Sequence, residues 1–236
     1  VYAQSQEDLQ KYISLGMKNT EFMGNLKFDI KKKDADIDLG QNGYKVLIGG
    51  STHKGEDEIV LDCFKKLKSE FPNLKLLLAP RHPQRVPEIE QLIGQRELSY
   101  GLRSKDEKFT DHDIIILDTL GELGKMYSIC DIAFIGGSFN KTGGHNPLEA
   151  VVYDKPTLSG PCIHNFKDIY SILQKAGAAK VVSTPNELFL TLNTLLSEEN
   201  CYNQAKAACR QVFEEQGGAL NFVITKVGEL LSIKAR

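Results

Sequence analysis

The chain has 236 residues, 41% of them hydrophobic and 25% charged, which fits a folded soluble chain and excludes disorder and collagen-like repeats. Its 29 basic and 31 acidic side chains leave a net charge of −2, so no basic field draws it onto nucleic acid. The longest apolar runs, at 114–117 and 132–137, fall far short of the ~18 residues that a membrane span requires, and no signal peptide is visible.

A chain of this length holds one large domain or two modest ones. It opens Val1-Tyr2-Ala3-Gln4, without an initiator Met, and stops within a helical pattern. It therefore reads as a fragment or processed product, and catalytic groups can lie outside it. The five cysteines (Cys63, Cys130, Cys162, Cys201 and Cys209) form no C-x-x-C pair, so neither a disulfide framework nor a structural zinc site is expected, and a reducing compartment is the simpler reading. Cys63 and Cys130 fall within apolar helical patterns and read as small core residues.

In chain order, Ser5 caps a short helix that Gly16 stops, and 20–23 forms a short strand. Residues 27–43, with Lys31-Lys32-Lys33-Asp34, lack apolar periodicity and make the best linker candidate. Strands are predicted at 45–48, 74–79, 98–102, 114–117, 132–135, 156–158 and 180–182. Helices are predicted at 55–71, 86–93, 120–130, 147–153 and 166–176, and throughout the chain after Pro185. Short apolar strands alternating with amphipathic helices imply an α/β fold, with a Rossmann-like parallel sheet covered by helices on both faces. Ligands of such sheets bind outside the carboxyl ends of the strands. Four strands here lead into unusual polar loops, at 49–56, 80–83, 118–122 and 136–149, and parallel order brings all four to one edge.

The richest loop is Gly136-Gly137-Ser138-Phe139-Asn140-Lys141-Thr142-Gly143-Gly144-His145-Asn146-Pro147-Leu148-Glu149. Two glycine pairs let backbone N–H groups approach an anion, and a helix starting at Pro147 adds partial positive charge, so phosphate is the natural guest. Asn146 and Glu149 share a helix face, where the carboxylate can accept both hydroxyls of a ribose; the alternative is a capping box. Ser51, Thr52 and His53 follow Gly49-Gly50 and read either as a second nest of donors or as a simple helix cap. Arg81 and His82, stiffened by Pro80 and Pro83, offer a fixed polar display, with Arg81 suited to a phosphate or a base pocket. Thr119 and Glu122 read as an N-cap and its capping-box partner, and Gly121 as a backbone contact to a base. Three histidines (His53, His82, His145) lie on converging loops, but without any metal-ligand spacing; His145 fits better as a donor to phosphate.

Gly24-Asn25-Leu26-Lys27-Phe28-Asp29, Ser51-Thr52-His53-Lys54-Gly55-Glu56, Pro80-Arg81-His82-Pro83-Gln84-Arg85, Asp118-Thr119-Leu120-Gly121-Glu122-Leu123 and Gly143-Gly144-His145-Asn146-Pro147-Leu148-Glu149 occur in this order over nearly the whole chain. The ordered set resembles the 3-deoxy-D-manno-octulosonic acid (Kdo) transferase family of lipopolysaccharide assembly. The resemblance implies the C-terminal half of a GT-B glycosyltransferase. Residues 1–30 would then be a remnant of the N-terminal acceptor domain, 31–43 a linker, and 44–236 the nucleotide-sugar domain. The sequence departs from the family pattern at Asn140-Lys141-Thr142 and at Ala150, where proline is frequent.

The resemblance also implies inverting transfer of Kdo from CMP-Kdo to a lipid A precursor, with no metal or other cofactor. On that view Glu149 holds the ribose of CMP, Gly137, Ser138, Gly144, His145 and Asn146 surround its phosphate, Arg81 lines the nucleotide pocket, and Gly136 and Gly143 belong to the donor-binding set. The general base would sit on the missing domain, so the chain alone would bind CMP without transferring sugar. The acceptor implies a peripheral or anchored place on the cytoplasmic side of the inner membrane for the full-length protein, with this fragment soluble. The final helix, at 219–233, would cross back toward the first domain, and its exposed surface could drive self-association. The alternatives are a UDP-sugar-dependent GT-B transferase or epimerase, and a non-catalytic nucleotide-binding module.

Overall fold

The computed structural model describes residues 1–33 and 36–234, so Asp34 and Ala35 of the expected linker lie outside the described residues. The chain divides into two compact units, one formed by Val1–Lys31 with Gln211–Arg236 and the other by Lys32–Arg210. The smaller unit begins with β1 (Tyr2–Ala3), α1 (Gln6–Ser14) and β2 (Glu21–Phe22), and β1 pairs parallel with β2. The Ser5 hydroxyl accepts from the Asp8 N–H at the start of α1, and Gly16 turns the chain out of it at φ 79°. A 3-10 turn at Leu26–Asp29 follows.

The larger unit runs β3 (Lys45–Thr52), α2 (Glu56–Glu70), β4 (Leu74–Pro80), α3 (Val86–Gly94), β5 (Tyr100–Leu102), β6 (Ile114–Ile116), α4 (Leu123–Met126) and β7 (Ile132–Ile135). It continues through α5 (Leu148–Val151), β8 (Thr157–Ser159), α6 (Lys167–Ala176), β9 (Ala179–Val181), α7 (Pro185–Ser197) and the first part of α8 (Glu199–Gln216); the rest of α8 and α9 (Ala219–Lys234) belong to the smaller unit. Among the described residues the main sheet has seven strands in the order β5-β6-β4-β3-β7-β8-β9, and every pairing is parallel. From β3 the chain winds one way to β4 and later the other way to β7, which opens a crevice at the carboxyl ends of these strands.

The two-residue period of the strands sorts their apolar side chains between two cores. On one face Leu47, Leu76, Leu78, Ile114, Ile116, Ile132 and Phe134 pack with Val60, Leu61, Phe64 and Leu67 of α2, Ile89 and Ile93 of α3, and Leu188 and Leu192 of α7. On the other, Val46, Ile48, Leu77, Ile115, Ala133 and Ile135 pack with Met126, Tyr127, Cys130 and Ala150. Both faces are buried, which is why these strands read as near-continuous apolar runs. Cys63 and Cys130 are buried core residues; burial pushes their thiols up to about 11 and about 12. Among the described residues no helix is long and apolar enough to cross a membrane.

Two stretches differ from the sequence reading. Residues 120–130 form only the short α4 and a 3-10 turn at Tyr127–Ile129, and Thr119 caps no helix. The Thr119 hydroxyl donates to the Glu122 carboxylate, which also accepts from Arg103 Nη2 at 3.3 Å, and Asp118 accepts from the Ser104 N–H at 2.9 Å. These side chains face the turn after β5, so the helix lacks its expected start. The stretch read as a linker is packed at single points: Phe28 stacks edge-on to Phe213, with centroids 5.9 Å apart within the smaller unit, and Leu39 is buried in the second core of the larger one. Isolated anchors of this kind leave no periodic trace.

Gly136 sets how closely the ends of β7 and β3 approach. Its N–H donates to the Gly50 carbonyl at 2.8 Å, and a Cβ there would lie 2.5 Å from the Ser51 oxygen and 2.7 Å from the Thr52 Cα. Gly136→Ala is expected to destabilise the fold by about 3 kcal/mol through this backbone clash, read as a lower urea midpoint at unchanged slope.

Candidate functional site

The loop after β7 is built around a carboxylate from another element. Glu56, the first residue of α2, is 1% exposed. It accepts from the N–H groups of Gly137 at 2.6 Å, Ser138 at 2.7 Å and Phe139 at 2.8 Å, and from the His53 N–H at 3.0 Å. Gly144 donates its N–H to the Gly137 carbonyl at 2.7 Å, and Gly143 lies against His164 and Asn165. The sequence reading aimed these amides at a phosphate; the fold aims those of Gly137 and Ser138 at its own buried anion. The physical reason is direct, since a carboxylate taken out of water needs donors for both oxygens and a run of consecutive N–H groups supplies them.

Beside Glu56, Asp57 is fully buried, accepts from the Thr52 hydroxyl at 2.7 Å and pairs with Arg85 Nη2 at 2.5 Å. Burial raises the Asp57 carboxyl, and the Thr52 hydrogen bond and Arg85 oppose the rise. Thr52 is therefore a structural partner of α2. The N-cap of α2 is Gly55 at φ 89°, without a side-chain bond, so neither Ser51 nor Thr52 caps the helix.

At the carboxyl ends of β3, β4, β6 and β7 lies a cavity of about 410 Å³, lined among others by Lys33, Ser51, Arg81, Gly121, Tyr127, His145, Asn146, Glu149 and Phe166. The loops after four separate strands thus meet in one place. Ser51 enters at φ 54°, in the left-handed region, where the chain turns sharply out of β3. Asn146 Oδ1 accepts from the Leu148 N–H at 3.1 Å, and Pro147 occupies the N-cap of α5. Glu149 lines the cavity. Burial raises its carboxyl above the ordinary value, and Lys33 and Arg81 hold it back. Tyr127 is fully buried and its phenol is pushed well above its usual range, chiefly by burial.

The histidines form a row. The Nε2 atoms of His145 and His53 lie 2.9 Å apart, so one ring donates and the other accepts, and His82 meets His53 edge-on with centroids 5.7 Å apart. Burial lowers the pKa of both His53 and His145. Glu56 works against this, while neighbouring histidines and Arg81 add to it. Two imidazolium rings cannot share that 2.9 Å contact.

Of the sequence-predicted residues, Ser51, Arg81, Gly121, His145, Asn146 and Glu149 line the cavity together. His53 reaches it through His145, and His82 through His53. Thr52, Gly136, Gly137, Ser138, Gly143 and Gly144 do not line it; they shape the loops around it. Sequence reasoning missed Lys33, Tyr127, Phe166 and the role of Glu56. Glu56 stood in a quoted motif without an assigned partner, and Lys33 stood in a charged run.

No protein-family model matches the chain. It is 35% identical over 231 residues to the 3-deoxy-D-manno-octulosonic acid transferase of Haemophilus influenzae, covering 93% of this chain and 54% of that protein. It is 39% identical over 212 residues to a bifunctional glycosyltransferase/methyltransferase of Fusobacterium nucleatum, covering 84% of this chain and 32% of that protein. Among solved structures it is similar to the C-terminal CMP-Kdo binding domain of WaaA from Acinetobacter baumannii. That match has 26% identity and a TM-score of 0.69, covering 74% of this chain and 91% of that one. The chain is thus similar to Kdo transferases over most of its own length. It spans about half the length of the Kdo transferases it matches, and its fold is that of the C-terminal domain of GT-B glycosyltransferases.

Two outcomes test this arrangement. Glu56→Gln places an amide N–H₂ against backbone donors and is expected to cost about 3 kcal/mol of stability, measured by urea unfolding. The NMR titration midpoints of His53 and His145 are expected below the ordinary histidine value of 6.5. A depressed histidine pKa contributes stability that is fully present above the unfolded value and is lost as pH falls toward the folded one, so the urea midpoint falls on acidification below about pH 6.5.

Proposed function

We propose that this chain is the donor-binding part of a Kdo transferase and that its cavity grips the cytidine monophosphate of CMP-Kdo while the sugar passes to a lipid A precursor. The observation that carries this reading is the meeting of Ser51, Arg81, His145 and Glu149, from three different loops, in one cavity of about 410 Å³. That volume lies within the usual range for a small-ligand site. The similarity to a domain described as binding CMP-Kdo supports the choice of nucleotide.

In this reading the ionised Glu149 accepts the two ribose hydroxyls, and the main chain at Gly121 meets the base. Arg81, His145 and Ser51 face the phosphate. As the glycosidic bond breaks, that phosphate gains charge, and fixed donors aimed at it lower the barrier. Arg81 supplies the positive charge permanently, so the step needs no metal. The acceptor hydroxyl is deprotonated by a general base on the opposite wall of the cleft, supplied by a domain outside this chain, and attack from that side inverts the anomeric centre. The lipid acceptor places the whole enzyme at the cytoplasmic surface of the inner membrane, with residues 1–30 closing the acceptor domain and 31–43 linking it to the donor domain.

Isothermal titration of the chain with CMP, UDP and GDP tests the reading. CMP is expected to bind tightest, and Arg81→Ala to weaken it about 10- to 100-fold, the loss of hydrogen bonds to a charged group worth about 1.5–3 kcal/mol. The chain alone is expected to transfer no Kdo. Tighter binding of UDP would favour a UDP-sugar enzyme, and no binding of any nucleotide would overturn the reading.

A further inference from the structure

Lys33 comes from the stretch that the sequence marks as a linker, yet it lines the cavity. A single side chain holds it there. The Tyr153 hydroxyl accepts from the Lys33 N–H at 2.7 Å and donates to the Lys33 carbonyl at 2.9 Å, satisfying both backbone groups of that residue. The next residue, Asp154, pairs with Lys32 Nζ at 3.6 Å and with Arg210 Nε at 3.0 Å. Tyr153 and Asp154 stand in the turn just after α5, the helix that carries Glu149. Glu149 and the anchor of Lys33 therefore belong to one rigid piece of chain, and their spacing is fixed locally.

The two head groups converge over Gly124. A Cβ built on that glycine would lie 3.4 Å from Lys33 Nζ and 3.6 Å from Glu149 Oε2. The gap is open because position 124 carries no side chain. The Lys33 ammonium and a half-buried carboxylate thus share the rim of the same cavity.

We infer that Lys33, held by Tyr153, is a nucleotide-positioning residue whose ammonium fixes Glu149 as the acceptor of the ribose hydroxyls. This inference rests on the proposed nucleotide site and adds a residue to it. Glu149 is faced by Lys33, by Arg81 after β4 and by Tyr127, and His145 lines the same cavity. Among these, Lys33 and Arg81 favour its charged form, while burial opposes it. A protonated Glu149 would present a hydroxyl where the ribose needs an acceptor. Removing Lys33 thus moves the acid limb of nucleotide binding to higher pH.

The test is isothermal titration of the full chain with CMP from pH 5.5 to 8.5. Cytidine serves as a second probe, because the CMP phosphate itself titrates near pH ~6. Lys33→Gln is expected to weaken binding about fivefold near pH 6, less at pH 8, and to move the midpoint of the acid limb upward with both probes. Lys33→Arg is expected to restore the parent profile, and Tyr153→Phe, which keeps the ring in the core, to shift the midpoint in the same direction as Lys33→Gln. An unchanged midpoint in Lys33→Gln overturns the inference, whether or not affinity falls uniformly. If the parent chain binds neither probe, the nucleotide reading of the site fails first, which separates the two ideas. Lys33 is exposed, so its replacement leaves folding intact, checked by an unchanged urea midpoint.

Discussion

A carboxylate buried with Glu56's completeness is tolerated only when donors meet both of its oxygens, and here four backbone N–H groups do so. That one requirement ties the first turn of α2, the turn at His53 and the loop after β7 into a single body. Because consecutive amides of Gly137, Ser138 and Phe139 converge on it, the loop has one permitted course, and His145 is delivered to within 2.9 Å of His53. The neighbouring Asp57–Arg85 pair does the same for the segment after β4 that presents Arg81. The cavity is a by-product of these internal bonds.

This arrangement separates two tasks that a glycine-rich loop can perform. Backbone nests bind anions, but a nest already filled by a protein carboxylate is rigid before any ligand arrives. In the proposed nucleotide site the work of meeting a charged ligand falls to side chains: the permanently cationic Arg81, and His145, whose pKa is lowered by burial and then by His53 and Arg81. Glu149 stands among them, with Lys33 and Arg81 restraining the tendency that burial gives it to take up a proton.

Much of the fold was legible because β3, β4, β6 and β7 hold near-continuous apolar runs, and a sheet covered on both faces asks for those. The convergence of Ser51, Arg81, His145 and Glu149 followed from parallel order alone. What was illegible depends on partners remote in sequence. Nothing local tells that the amides of Gly137 and Ser138 turn toward Glu56, or that a lysine in a charged run is gripped by a tyrosine 120 positions later. The short α4 was misread for the same reason: Thr119 and Glu122 fit a capping pattern, but Arg103 and Ser104, from an earlier turn, claim the side chains of Glu122 and Asp118.

The smaller unit joins the two ends of the sequence. Asp29 accepts from the N–H groups of Gly218 and Leu220, both at 2.8 Å, and Lys226 pairs with Glu21 at 3.1 Å. Asp29 and Gly218 stand 189 positions apart, and contacts so remote in sequence carry a loop-closure cost and form slowly. The bonds that complete this corner therefore lag the local turns and neighbouring strand pairs of the larger unit as the chain folds.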